Sequence, residues 1–183
     1  ACPASADSGV VGAVHPQAID SRLELVGQVG GSITAVAITG DYALTGTGGR
    51  VVVHSLKDPT HPTFVGQTEV LDGPLLHIAV AGSYAYVSAG TSGLLVLDIS
   101  EPAAPVQVGE LLADGLTVKD VAVGKDFVYA ISDLALHVIS VADPAAPEQI
   151  GVCPLPDSGN AVGVAASGSF AFVADDGGGL RAI

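Results

Sequence analysis

The chain has no methionine, no tryptophan, two cysteines and only four each of tyrosine and phenylalanine in 183 residues. With 49% of the residues apolar, its core must be built from Val, Leu, Ile and Ala, and the length suffices for one ordinary domain. Cys2 and Cys153 are too few for a disulfide framework or a tetrahedral metal site, and they read as two unrelated thiols. Basic residues are scarce as well. Six Lys and Arg face nineteen Asp and Glu, for a formal charge of −13. Such a surface repels phosphate backbones and anionic lipid, so nucleic acid is not an expected partner. Solubility is the simplest role for the acidity. No apolar run approaches the roughly 20 residues of a membrane-spanning helix. A chain that opens Ala1-Cys2-Pro3 without any methionine is expected to have lost its natural start, by processing or as a fragment, and no signal peptide is visible.

What is abundant is glycine (24) and proline (11), and both arrive at regular intervals. Tyr42, Tyr84, Phe127 and Phe170 follow one another by 42, 43 and 43 positions, each just after a short turn such as Gly40-Asp41 or Gly82-Ser83. A second marker, Val26-Gly27, Val65-Gly66, Val108-Gly109 and Ile150-Gly151, keeps nearly the same step. A third is the turn Asp58-Pro59, Glu101-Pro102 and Asp143-Pro144, with a further proline three residues on (Pro62, Pro105, Pro147). Repeats of this size, made of short apolar runs, bury their apolar faces against one another.

Residues 1–21 are small, polar and aperiodic, and read as a flexible leader before repeats over 22–183. The repeat units run about 22–62, 63–105, 106–147 and 148–183, the last incomplete. Within the first sheet the runs Ile33–Thr39, Tyr42–Thr47, Arg50–Leu56 and Thr63–Val70 read as four strands, the last following the double-proline turn. The series recurs as Leu76–Ala81, Tyr84–Ala89, Leu94–Ser100 and Val106–Leu112, then as Val118–Gly124, Phe127–Ser132, Leu136–Val141 and Glu148–Cys153. A fourth set, Ala161–Ala166, Phe170–Ala174 and Leu180–Ile183, has three members. No helical period is present. The expected fold is all-β: a β-propeller of four-stranded antiparallel blades, about four in number, either a closed ring or a fragment of a larger one. In the closed case the early run Leu23–Val29, an outermost strand with no blade of its own, would complete the fourth unit and leave no exposed edge.

The run Gly93-Leu94-Leu95-Val96-Leu97-Asp98-Ile99-Ser100-Glu101-Pro102, preceded by Ala85-Tyr86-Val87-Ser88-Ala89, resembles the LVIVD-repeat proteins. These are bacterial and archaeal β-propellers, commonly secreted or surface-attached. The resemblance covers residues 22–183 and is strongest in the second unit. The first unit has His54-Ser55 and the third Ile139-Ser140 in place of the Leu-Asp step, so that aspartate is not essential to every blade. The resemblance implies an extracytoplasmic module but carries over no single activity, because the motif describes blade construction.

Chemistry in a propeller concentrates at the mouth of the central channel, lined by the innermost strands. Seven residues before each aromatic marker stand Ala35, His77, Asp120 and Gly163. His77 and Asp120 would face one axis and could hold a metal or a small polar ligand. Equally, each could bond to backbone in a neighbouring blade, since one His and one Asp fall short of a coordination shell. Asp175-Asp176-Gly177-Gly178-Gly179 lacks the alternation of a calcium loop and aligns with an ordinary turn. His15, His54, His61 and His137 share no repeat position and are expected in loops or facing solvent. Gly46-Thr47-Gly48-Gly49 has no helix to complete a phosphate site, and no nucleophile elbow is present. The expected function is thus a non-catalytic scaffold binding a protein or glycan, with no cofactor. The alternative is a metal-dependent enzyme or small-ligand binder working through His77 and Asp120. If the chain is a fragment, open blade edges would also let copies of it associate.

Overall fold

The computed structural model describes residues 24–112, 116–125, 127–155 and 160–183, so the expected leader lies outside the described residues. Within them are fifteen strands and no helix. The first sheet is β1 (Ala35–Thr39), β2 (Tyr42–Thr47), β3 (Arg50–Ser55) and β4 (Thr63–Gln67). The second is β5 (His77–Ala81), β6 (Tyr84–Ser88), β7 (Leu94–Asp98) and β8 (Val106–Leu111). The third is β9 (Asp120–Val123), β10 (Phe127–Ile131), β11 (Ala135–Ser140) and β12 (Glu148–Pro154). The fourth has three strands, β13 (Ala161–Ser167), β14 (Phe170–Asp175) and β15 (Gly179–Ala182). Every sheet is an antiparallel meander in chain order, and no strand pairs outside its own sheet.

The sequence markers have distinct physical jobs. The aromatic marker opens the second strand of each sheet, and in the first it follows a two-residue loop, where Thr39 pairs with Tyr42. Gly40, Gly82 and Gly168 take φ of 53, 57 and 59° there, which favours glycine. The Val-Gly marker is a β-bulge. Val53 faces Gly66 while His54 faces Phe64, so Val65 is the extra residue. The register slips at the same place in the next two sheets, leaving Val108 and Ile150 unpaired. In the double-proline turn the first residue's carbonyl accepts the amide three residues on, in Asp58–His61, Glu101–Ala104 and Asp143–Ala146. The proline between them needs no N–H.

The sheets pack face to face in succession, with β1 on β5, β5 on β9 and β9 on β13. Three apolar layers result. Leu44, Val51 and Val53 of the first sheet meet Ile78, Leu95 and Leu97 of the second. Leu94 and Val96 meet Val121, Val128 and Ile139 of the third, and Ile131 and Leu136 meet Ala171 and Val173 of the fourth. β7 is buried on both faces, hence its unbroken Leu-Leu-Val-Leu run, and each such leucine contributes about 1.5–3 kcal/mol. Ile139 is fully buried in the middle layer. Trimming it with Ile139→Val is expected to cost about 1 kcal/mol in urea denaturation, and an unchanged midpoint would place it outside the core.

The expected strands are observed with ends shifted by a few residues. The early run differs: residues 24–30 are not a strand, and no contact comparable to those between successive sheets joins β13 to β1. The described residues therefore form an open arc of four sheets.

Candidate functional site

The innermost strands bring the two expected residues together. His77 begins β5, Asp120 begins β9, and the imidazole Nδ1 lies 2.7 Å from Asp120 Oδ1. The same Nδ1–H points toward the carbonyl of Val121 at 3.1 Å. Asp120 also accepts the backbone N–H of Val121 on Oδ1 at 2.9 Å and that of Val164, on β13, on Oδ2 at 2.8 Å. One carboxylate therefore ties three successive sheets. Ala35 and Gly163, at the matching places, bring no functional side chain.

The charges respond to this arrangement. The hydrogen bond to Asp120 raises the His77 pKa above its ordinary 6.5, although burial works against it. For Asp120 burial is the largest single influence and pushes the pKa up. The hydrogen bonds from His77, Val164 and Val121, with the imidazolium charge, outweigh it and hold the carboxyl below 3.8. The pair thus favours the imidazolium and the carboxylate over their uncharged forms. A cationic imidazole is a poor general base and cannot ligate a metal until it loses a proton.

A second set of residues, not singled out by sequence reasoning, extends the tie. Lys119 Nζ reaches Asp133 and Asn160, and it lies 3.5 Å from the carbonyl of Ala161. Ser88 Oγ donates to the Lys119 carbonyl at 3.3 Å. The available signal was Lys119 itself, one of six basic residues and adjacent to Asp120. Beside His77 a cleft of about 290 Å³ opens between β1 and β5, lined by Ile33, Thr34, Ala35, Val36 and Leu76. The His77 ring is its one titratable wall. Among the described residues no three His, Cys, Asp or Glu side chains stand close enough to share a metal ion.

The remaining candidates disperse. Asp175 is buried, accepts Arg181 Nε at 2.8 Å and the Gly177 amide at 3.2 Å, and so closes the turn from β14 to β15. Gly46-Thr47-Gly48-Gly49 makes the hairpin from β2 to β3, with φ of 57 and 78° at Gly48 and Gly49. His61 is exposed in its turn against Asp58, and His137 on β11 contacts Ser132 and Gln149. His54 departs from expectation. It is buried on β3, because it takes the place that Leu97 and Ile139 hold in the next sheets, and burial lowers its pKa. His15 and Cys2 lie outside the described residues, and Cys153 is half-buried on β12.

A second cleft, of about 430 Å³, lies between the third and fourth sheets. It is lined by Lys125, Phe127, Tyr129, Gly168 and Ser169, from the turn end of the inner hairpins.

Radially packed four-stranded meanders, joined through their innermost strands, define a β-propeller protein. The chain carries LVIVD repeats, the LVIVD repeat model matching residues 73–112 and 158–183. Among solved structures the chain is similar to the computationally designed Ika4 protein, at 11% identity and TM-score 0.69 over 85% of this chain and 92% of that one. It is also similar to the computationally designed Ika8 protein, at 12% identity and TM-score 0.66 over 82% of this chain and 45% of that one. The β-propeller domain of Myceliophteria thermophila Cps50 (Swd1) matches at 14% identity and TM-score 0.68, over 82% of this chain and 53% of that one. The chain spans about half the length of these last two. No curated protein matches it.

Proposed function

We propose that the chain is a non-catalytic binding module of an extracytoplasmic protein, secreted or held at the cell surface, and that its ligand is a glycan. The observation that carries this reading is the cleft between the third and fourth sheets. Its volume suits a small ligand, and it joins the rings of Phe127 and Tyr129 to an exposed ammonium and a hydroxyl from Lys125 and Ser169. Aromatic faces cover the apolar side of a sugar ring, and the polar groups meet its hydroxyls. The channel-mouth pair supports the non-catalytic part. Both Asp120 oxygens and His77 Nδ1 are engaged between sheets, which leaves Nε2 as one donor, short of the three or four that a zinc site uses. The extracytoplasmic part rests on the resemblance to proteins that are commonly secreted or surface-attached.

The test is retention of the purified chain on a panel of immobilised oligosaccharides and cell-wall polysaccharides. Phe127→Ala and Lys125→Ala are each expected to lower retention at least tenfold, with the thermal midpoint of Lys125→Ala unchanged. Absence of retention on every glycan, or equal retention by both variants, would overturn the reading.

A further inference from the structure

The third sheet departs from the repeat at one turn. Three residues before the aromatic marker the other sheets have Thr39, Ala81 and Ser167, and the third has Gly124. Two residues before it the others have Gly40, Gly82 and Gly168, and the third has Lys125. The turn glycine has moved back by one place, and a lysine fills the position that the repeat otherwise gives to glycine. Both changes meet at the cleft of about 430 Å³. A β-carbon on Gly124 would lie 2.6 Å from Cε2 of Tyr129, so its absence lets that ring lie along the turn. The Gly124 amide donates to the Phe127 carbonyl at 2.8 Å, and Lys125 follows directly, in the same wall as both rings.

The chain has few cations to place there. Of its six Lys and Arg, Arg22 lies outside the described residues. Three others are committed. Arg50 donates to the Thr68 carbonyl at 2.6 Å and lies 3.9 Å from Glu69, Lys119 pairs with Asp133, and Arg181 pairs with Asp175. Lys57, in the loop after β3, and Lys125 have no ion-pair partner among the described residues. Lys125 is exposed, and no carboxylate stands with it in the cleft wall. A chain with nineteen acidic residues has thus set an unneutralised ammonium beside two aromatic rings.

We infer that the glycan held in this cleft is acidic, its sugar ring against Phe127 and Tyr129 and its carboxylate or sulfate on the Lys125 ammonium. This rests on the glycan reading and adds the ligand's charge to it. A hydrogen bond between two charged groups is about twice as strong as a neutral one. The net charge of −13 opposes an anion at long range. At physiological ionic strength that field is screened beyond about 8 Å, so the ammonium in contact with the anion dominates. A neutral sugar would gain from Lys125 only a donor, which the Ser169 hydroxyl already provides.

The experiment measures retention on matched pairs that share a backbone and differ in charge: polygalacturonate and hyaluronate beside their methyl esters, and dextran sulfate beside dextran. An acidic member is expected to hold the chain about tenfold more strongly than its neutral partner, and less so as salt is raised. Lys125→Gln, which keeps an N–H donor without the charge, is expected to abolish that preference. Lys57→Gln, which removes the other unpaired ammonium outside the cleft, is expected to leave it intact. A preference that survives Lys125→Gln, or that Lys57→Gln lowers equally, would overturn the inference. Equal retention on both members of every pair, still weakened by Phe127→Ala, would also overturn it while leaving the glycan reading in place. Absence of retention on these pairs and on every neutral glycan would remove both.

Discussion

Gly109→Ala is expected to destabilise the protein by about 3 kcal/mol, while Gly151→Ala, the same substitution one repeat later, shifts stability by less than about 0.5 kcal/mol. Both glycines follow a bulge residue and face a valine of the third strand, Val96 or Val138. They differ in what lies beyond. At Gly109 a methyl group would sit 2.1 Å from the Pro144 carbonyl oxygen and 3.1 Å from the Ala145 backbone, atoms of a turn held by its own hydrogen bonds. Neither the strand nor the turn can yield without parting the second and third sheets. At Gly151 the methyl group meets only Val138, at an ordinary 3.7 Å. Denaturant midpoints of the two variants decide the matter. Equal losses would show that the glycine matters to its own strand and not to the contact between sheets.

The contrast also marks what the sequence could express. The period, the hairpin turns and the strand order were legible because each is local: a loop glycine, an alternating run, a proline pair. The Val-Gly marker was visible four times, yet its meaning was not, because a bulge and a close approach to another sheet are relations between distant segments. His54 was misjudged for a related reason. Its histidine identity suggests solvent, while its register on β3 assigns it a place that leucine and isoleucine fill elsewhere. His77 and Asp120 could be aligned by counting back from the aromatic marker, so their shared axis was legible. That Asp120 would reach past its partner to Val164 was not, since nothing along the chain encodes how far one sheet leans toward the next. The open arc is the clearest case. Curvature is set by small rotations at each apolar layer, and residues such as Val36 and Leu180 read the same whether buried or bare.

The tie across three sheets carries the second large effect. Asp120→Ala is expected to cost about 2 kcal/mol near pH 5.5, because the Val164 amide loses its acceptor and His77 loses its counter-charge. The Asp120 side chain is largely buried, but that of His77 is 44% exposed, so water and salt screen the charge and the loss stays below that of a fully buried pair. The loss depends on pH in a fixed direction. His77, whose pKa folding raises, contributes fully below 6.5 and ceases to contribute as pH climbs through its folded value. Asp120, whose pKa folding lowers, contributes fully above 3.8 and ceases as pH falls through its folded value. The gap between wild type and Asp120→Ala is therefore widest between pH 3.8 and 6.5 and narrows on either side. It does not vanish in alkali, because the uncharged imidazole leaves the bonds from Val121 and Val164 in place. Asp120→Asn, with a carbonyl oxygen for Val164, is expected to restore much of the alkaline stability while removing the pH dependence. A gap of constant size from acid to alkali, read from denaturation midpoints, would mean that Asp120 acts as a spacer between sheets and that its charge plays no part.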